Sequence, residues 1–83
     1  MKIVFKLFAS LSSLLPPEAR GNAVELEITA ESTIDEILKS QRVPPESAHL
    51  VMINGVFVPP SERASRTLQE ADELAIWPPV AGG

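Results

Sequence analysis

The sequence contains no cysteine, no tyrosine and a single histidine among its 83 residues. Without cysteine, the chain can form no disulfide, offer no thiolate ligand to a metal ion and supply no cysteine nucleophile. One histidine is too few for most histidine-based metal sites and leaves little for acid–base catalysis. That residue, His49, stands just ahead of an apolar run, where we expect an ordinary surface position. The composition therefore argues against an enzyme whose own side chains perform the chemistry.

Positive charge and long apolar runs are also scarce. Seven lysines and arginines stand against 11 acidic residues, which gives a net charge of −4 and no basic stripe for a nucleic acid. No apolar run approaches the length that spans a bilayer. Near the N-terminus, Lys6 and the serines that follow it interrupt the apolar segment before it could form the core of a secretory signal. We therefore expect a soluble, cytoplasmic protein with neither a nucleic-acid nor a membrane partner.

Two alternating segments predict the first two strands. Residues 2–8 place apolar side chains on one side throughout, as a strand with one fully apolar face does. Residues 23–29 alternate more regularly, with Glu25 and Glu27 outward, and we expect this strand to run antiparallel to the first. Between them, residues 9–22 contain prolines and Gly-Asn, and predict a loop with a short helical turn at most.

A single helix is predicted after these strands. Thr33 and Glu36 form a capping box, in which each side chain covers a backbone donor at the other residue. The apolar residues that follow share one helical face. The helix should stop near Gln41, because Pro44-Pro45 cannot continue it.

The second half of the chain predicts a hairpin and a final strand. Asn54-Gly55 between two apolar runs is a strong hairpin signal, although both faces of this hairpin are apolar and the sequence does not determine which one points inward. Residues 59–71 are polar and irregular, with one helical turn expected near residues 61–64. A short strand over residues 73–77 then ends at Pro78.

The order strand, strand, helix, strand, strand, strand predicts an α+β protein with the ubiquitin-like β-grasp fold. One main helix should pack on a four- to five-stranded mixed sheet, with a β-grasp domain at residues 1–77 and a flexible tail at residues 78–83. The predicted core consists of Ile3, Phe5, Leu7, Val24, Leu26, Ile28, Ile34, Ile37, Leu38, Leu74 and Ile76.

The tail reads Trp77-Pro78-Pro79-Val80-Ala81-Gly82-Gly83. Glycines have no Cβ, so a terminal Gly-Gly can lie in a narrow slot and present an unhindered carboxylate. Two prolines stiffen the exit from the domain. Fully extended, six residues reach about 20 Å, enough to enter the active site of another protein.

Together, the predicted fold and this tail resemble the ubiquitin-like sulfur carriers, and most of all the small subunit of molybdopterin synthase, whose members end in an aromatic residue followed by Pro-Pro-Val-x-Gly-Gly. The related thiazole-synthesis carriers usually lack the Pro-Pro. The chain departs from that pattern at Ala71-Asp72, where a Gly-Asp turn is usual and where a positive φ would be strained. It also has Ser10-Leu11-Ser12-Ser13 in place of an Arg-Glu pair and a loop in place of a longer helix. A tungsten-cofactor, thiazole (thiamine) or general sulfur-transfer pathway therefore stays open.

The resemblance implies that Gly83 is the reactive residue. Its carboxylate would be adenylated by a ubiquitin-activating-type enzyme and converted to a thiocarboxylate with sulfur from a sulfurtransferase. The large synthase subunit would then take the tail, residues 78–82, and pass the sulfur to a pterin precursor. The chain has no nucleotide-binding loop. We therefore expect that it binds no cofactor, and that ATP and metal belong to the activating partner.

Strand alternation also predicts a docking patch. If Leu74 and Ile76 point inward, Trp77 points outward and can form an apolar surface with Val4 and Phe8. The alternative is that Trp77 folds over the sheet edge and fills the core. Two loop arginines, Arg63 and Arg66, are expected to be exposed. They could anchor carboxylates of a partner, although exposed loop arginines usually anchor nothing.

Two further functions use the same sequence features. The chain could be a protein modifier joined through Gly83 to target lysines by an isopeptide bond, or a passive β-grasp interaction module whose tail is incidental. A mass measurement of the tail separates the carrier from the modifier, and removal of Gly82 and Gly83 tests the passive module.

Overall fold

The structure is a computed structural model that describes residues 1–79. Of the predicted tail at residues 78–83, only Pro78 and Pro79 are among the described residues. A single mixed sheet has the strand order β2-β1-β5-β3-β4, with one α-helix in this part of the chain. Its elements are β1 (Lys2–Leu7), β2 (Ala23–Glu27), α1 (Ile34–Ser40), β3 (Leu50–Ile53), β4 (Val56–Phe57) and β5 (Glu73–Trp77), with 3-10 turns at Ala9–Leu14, Pro45–Ser47 and Pro60–Glu62. The predicted β-grasp fold is confirmed.

The middle of the sheet is formed by β1 and β5, which run parallel to each other. As predicted, β2 pairs antiparallel with β1. On the other side, β3 pairs antiparallel with β5, and the two-residue β4 completes the hairpin. No helix among residues 1–79 has the length and apolar character that crossing a membrane requires.

The helix has the predicted capping box. The backbone N–H of Glu36 donates to the Thr33 hydroxyl over 3.2 Å, and the backbone N–H of Thr33 donates to the Glu36 carboxylate over 2.9 Å. The helix ends at Ser40 with Gln41 as its C-cap, close to the predicted end, and the next residue, Arg42, has φ 62°. Its amide and that of Val43 bond back to helix carbonyls, so the chain reverses before the prolines.

The core lies between α1 and the inner face of the sheet. Most of the predicted core residues are buried, but Val24, Leu26 and Ile28 are only half-buried. They belong to β2 and its continuation at the edge of the sheet, where the seven-residue helix, about 10 Å long, gives less cover. The hairpin supplies core residues that the sequence did not determine, since Val51 and Ile53 point inward.

Two tight turns use left-handed backbone conformations. Asn54 and Gly55 have φ 51° and 82°, as the predicted hairpin turn requires. Ala71 has φ 70°, in the region that a Cβ disfavours by about 1 kcal/mol. The predicted strain at the Ala71-Asp72 turn is therefore present. The turn is held by Asp72, whose carboxylate accepts from the Gln69 amide over 2.8 Å and from the Asn54 side chain over 2.9 Å.

Candidate functional site at the base of the tail

Trp77 is the last residue of β5, and its side chain lies on the face of the sheet opposite α1. The two preceding inward residues, Leu74 and Ile76, are fully buried, and Trp77 is half-buried on the other face. Its ring stacks on Phe8 with a centroid distance of 4.4 Å and an interplanar angle of 4°. The alternative, in which Trp77 fills the core, is therefore wrong.

The backbone around Trp77 is held by the sheet. Its carbonyl accepts the amide of His49 over 3.0 Å, and the amide of Phe8 donates to the carbonyl of Ile76 over 3.1 Å. His49 is itself exposed, as expected. Pro78 follows directly and has no N–H to continue the strand pairing. The strand pairing of β5 thus ends at Trp77, with Pro78 half-buried and Pro79 exposed.

Further apolar side chains extend this surface across the sheet. Leu50 is paired with Trp77, and on the same face Met52 of β3 is paired with Phe57 of β4. All are at least partly exposed, and Phe57 is 51% exposed. We call Phe8, Leu50, Met52, Phe57 and Trp77 the outer apolar strip. Sequence reasoning missed the three hairpin residues because both faces of the hairpin are apolar.

Val4 does not belong to this strip. It lies on the same face, but its partners in the sheet are Glu25 and Glu73. Lys6 follows Val4 by two residues in β1 and precedes Phe8 by two, and its ammonium is 3.1 Å from the Glu73 carboxylate. The structure therefore brings Phe8 and Trp77 together but separates Val4 from them by a charged border.

The remaining predicted tail residues, Val80, Ala81, Gly82 and Gly83, lie outside the described residues. Within residues 1–79, no group of three or more histidine, aspartate or glutamate side chains is placed to hold a metal ion.

The prediction for Arg63 is wrong. It is 7% exposed, because its side chain turns inward and donates hydrogen bonds to two backbone carbonyls that precede β3. Arg66 is exposed as expected, with a nitrogen 3.9 Å from the Glu62 carboxylate.

Comparison with known proteins agrees with this geometry. The profile of the ThiS family matches residues 5–83. The Haloferax volcanii HVO 2177 protein is similar in structure, with a TM-score of 0.78 and 20% identity over 100% of this chain and 87% of that one. The small archaeal modifier protein 1 of H. volcanii has a TM-score of 0.65 and 25% identity over 95% and 98% of the two chains. A Pyrococcus furiosus protein assigned as molybdopterin converting factor, subunit 1, has a TM-score of 0.64 and 18% identity over 95% and 98%. No curated protein sequence matches the chain significantly.

Proposed function

The chain belongs to the ThiS family of ubiquitin-like carriers, and from this premise we propose that it donates sulfur, through a thiocarboxylate at Gly83, in the synthesis of a molybdopterin-type cofactor. The observation that carries the proposal is the continuity of two features. The outer apolar strip includes Trp77, and the Pro-Pro-Val-Ala-Gly-Gly segment begins at the next residue. A partner that covers the strip therefore holds the first residue of the tail in a fixed place.

The chemistry requires activation of the tail by a partner. A carboxylate is a poor electrophile because it is negative and resonance-stabilised. In the proposed reaction an oxygen of the Gly83 carboxylate attacks the α-phosphorus of ATP and pyrophosphate leaves. The outer sulfur of a persulfide on the sulfurtransferase then attacks the carbonyl carbon and AMP leaves, which gives an acyl disulfide. A thiol reductant cleaves its S–S bond, forms a disulfide with the sulfurtransferase cysteine and releases the thiocarboxylate. ATP and its metal belong to the adenylating enzyme, and the large subunit of a molybdopterin-synthase-type complex accepts the sulfur.

We propose the outer apolar strip as the surface on which these partners dock. Aromatic side chains that are partly exposed on a rigid strand are the usual anchors of protein interfaces. Lys6 and Glu73 border the strip with charged groups that can set the orientation of a partner. Orientation matters, because a displacement of about 1 Å at the reacting carbonyl costs roughly a hundredfold in rate.

The intact mass of the protein purified from its native cell tests the proposal. A thiocarboxylate replaces one oxygen of Gly83 by sulfur, so the mass should exceed that of the free acid by the difference between the two atoms. The same measurement tests whether Gly83 carries the terminal carboxylate. If the free acid is the only form, even after incubation with the activating enzyme, ATP and a sulfur donor, the proposal is wrong.

A second candidate is a protein modifier, and the structural similarity to the small archaeal modifier protein 1 favours it specifically. A modifier would appear as Gly83 joined to the lysine of a target in digests of the cell extract. A third is the thiazole-synthesis carrier. Pro78-Pro79 argues against it, because that group usually lacks the two prolines. Reconstitution with the acceptor enzyme of the molybdopterin-type pathway and with that of the thiazole pathway distinguishes the two, because only the correct enzyme should consume the thiocarboxylate.

A further inference from the structure

A depression of about 550 Å³ lies beside α1, on the side of the sheet opposite the outer apolar strip. Its floor is formed by buried residues, which include Leu38, Val43 and Arg63. Its rim carries the exposed side chains of Lys39 and Arg42. We call this depression the basic pocket.

Arg63 is the unusual residue of the basic pocket. Its side chain donates to the carbonyl of Ala48 over 2.6 Å and to the carbonyl of His49 over 3.3 Å, and its Nε has no hydrogen-bond partner in the described part of the chain. No carboxylate among residues 1–79 lies within ion-pair distance of it. Burial of a guanidinium without a counter-charge is unfavourable, so a carboxylate brought to this place would relieve a cost that the free protein carries.

The charges around the pocket have the opposite sign to that of the whole chain. Lys39, Arg42 and Arg63 give three cations against one carboxylate, that of Asp35, whereas the chain has a net charge of −4. Neither Lys39 nor Arg42 forms an ion pair within the described part of the chain. The local field therefore attracts an anion.

We propose that the basic pocket binds an acidic segment of a partner protein. A carboxylate of the segment lies against Arg63, and a neighbouring apolar side chain packs on Leu38 and Val43. A free organic acid fits less well, because sites for small molecules bury most of the ligand surface, and here the rim is open and exposed. A segment attached to a partner can also contact the exposed Pro44 and Pro45 on the same rim.

This site is independent of the sulfur chemistry. The basic pocket and the outer apolar strip lie on opposite sides of the sheet, so one partner can occupy the pocket while another holds the strip and the tail. The inference goes beyond the proposed function, and its test involves no thiocarboxylate.

The test is a nuclear magnetic resonance titration of the isotope-labelled full chain. The probe is the capped peptide acetyl-Leu-Glu-Leu-Asp-Leu-amide, compared with the neutral isostere acetyl-Leu-Gln-Leu-Asn-Leu-amide, each at up to about 5 mM. The acidic peptide should shift the Arg63 Nε–H resonance and the amide resonances of residues 38–43, and these shifts should saturate as the peptide concentration rises. Added salt should weaken the binding of the peptide. The neutral peptide should bind at least about threefold more weakly.

Variants at the rim keep the test independent of folding. Lys39→Gln together with Arg42→Asn should raise the dissociation constant of the acidic peptide by roughly three- to tenfold. Asn is chosen because it tolerates the positive φ of Arg42. Arg20→Asn, which removes one exposed charge elsewhere, should leave binding unchanged.

Three results would overturn the proposal. The first is no shift at Arg63 at the highest peptide concentration. The second is equal binding of the acidic and the neutral peptide, or equal binding of the acidic peptide by the rim variant and the unmodified protein. The third is binding of hexanoate as tight as that of the acidic peptide, which would identify a free organic acid as the occupant.

Discussion

Replacement of Phe8 and Trp77 by alanine, singly and together, should reveal an energetic coupling between the two rings. They stack at 4.4 Å with nearly parallel planes, and such pairs contribute about 0.5–1.5 kcal/mol beyond the area they bury. The double variant should therefore lose less stability than the sum of the two single losses, by that amount. Urea unfolding followed by far-ultraviolet circular dichroism measures all four proteins, because Trp77 is the chain's only tryptophan and its fluorescence is lost in two of them.

A matched control pairs Trp77→Ala with Val56→Ala. Val56 is 65% exposed in β4 and is separated from Trp77 by β3 and by three positions of register. The two losses should add to within about 0.5 kcal/mol. A coupling between Phe8 and Trp77 no larger than this control would refute the reasoning that the stack fixes the base of the tail. If the coupling is found, each single variant, which removes the stack, should reduce thiocarboxylate formation while the domain stays folded.

Three other changes test the core, the strained turn and the tail. Phe5→Ala should lower the unfolding free energy by about 3–5 kcal/mol out of a total of roughly 4–12 kcal/mol. Leu26→Ala should lower it by less, because Leu26 is half-buried. Equal losses in urea unfolding would contradict this difference in burial. Ala71→Gly should raise the unfolding free energy by up to about 1 kcal/mol, since it removes the Cβ from a left-handed residue, and a clear loss would show that φ is not positive in solution. Three changes to the tail should each leave the melting temperature unchanged: deletion of Gly83, addition of one residue after it, and Gly82→Ala. Each should lower the thioacid yield at least about tenfold, because it misplaces or crowds the reacting carbonyl. A normal yield from the deletion would remove the terminal carboxylate from the mechanism.

Local signals in the sequence were sufficient for most of the fold. The Thr33 capping box and the Asn54-Gly55 turn depend on residues within a few positions of each other, and the structure has both as predicted. The capping box and the hairpin turn involve backbone geometry that neighbouring side chains determine. The strain at Ala71 was expected from the resemblance, because related carriers usually have Gly-Asp where this chain has Ala71-Asp72.

What the sequence did not determine depends on contacts between distant segments. Val24 and Leu26 alternate as core residues do, yet they are half-buried because β2 is an edge strand. Arg63 is buried because its guanidinium reaches the carbonyl of Ala48, 15 positions earlier in the chain. The inward face of the hairpin, and with it the membership of Leu50 in the outer apolar strip, follows from pairing with β5. None of these contacts leaves a pattern in the local sequence.

The fixed position of Trp77 also limits how a carrier of the proposed kind can exchange partners. The His49 amide and the Phe8 ring hold the end of β5, and the six residues beyond it span at most about 20 Å. That is less than the width of a small domain, about 30 Å. The Gly83 carbonyl therefore cannot pass from one enzyme to the next while the strip stays bound, and the carrier must dissociate in every cycle. For partners that turn over about ten times per second, with association near 10⁶ M⁻¹s⁻¹, the dissociation constant has to be about 10 μM or weaker. At a given association rate, the time that a partner stays on the strip therefore limits how tightly the partner can bind it.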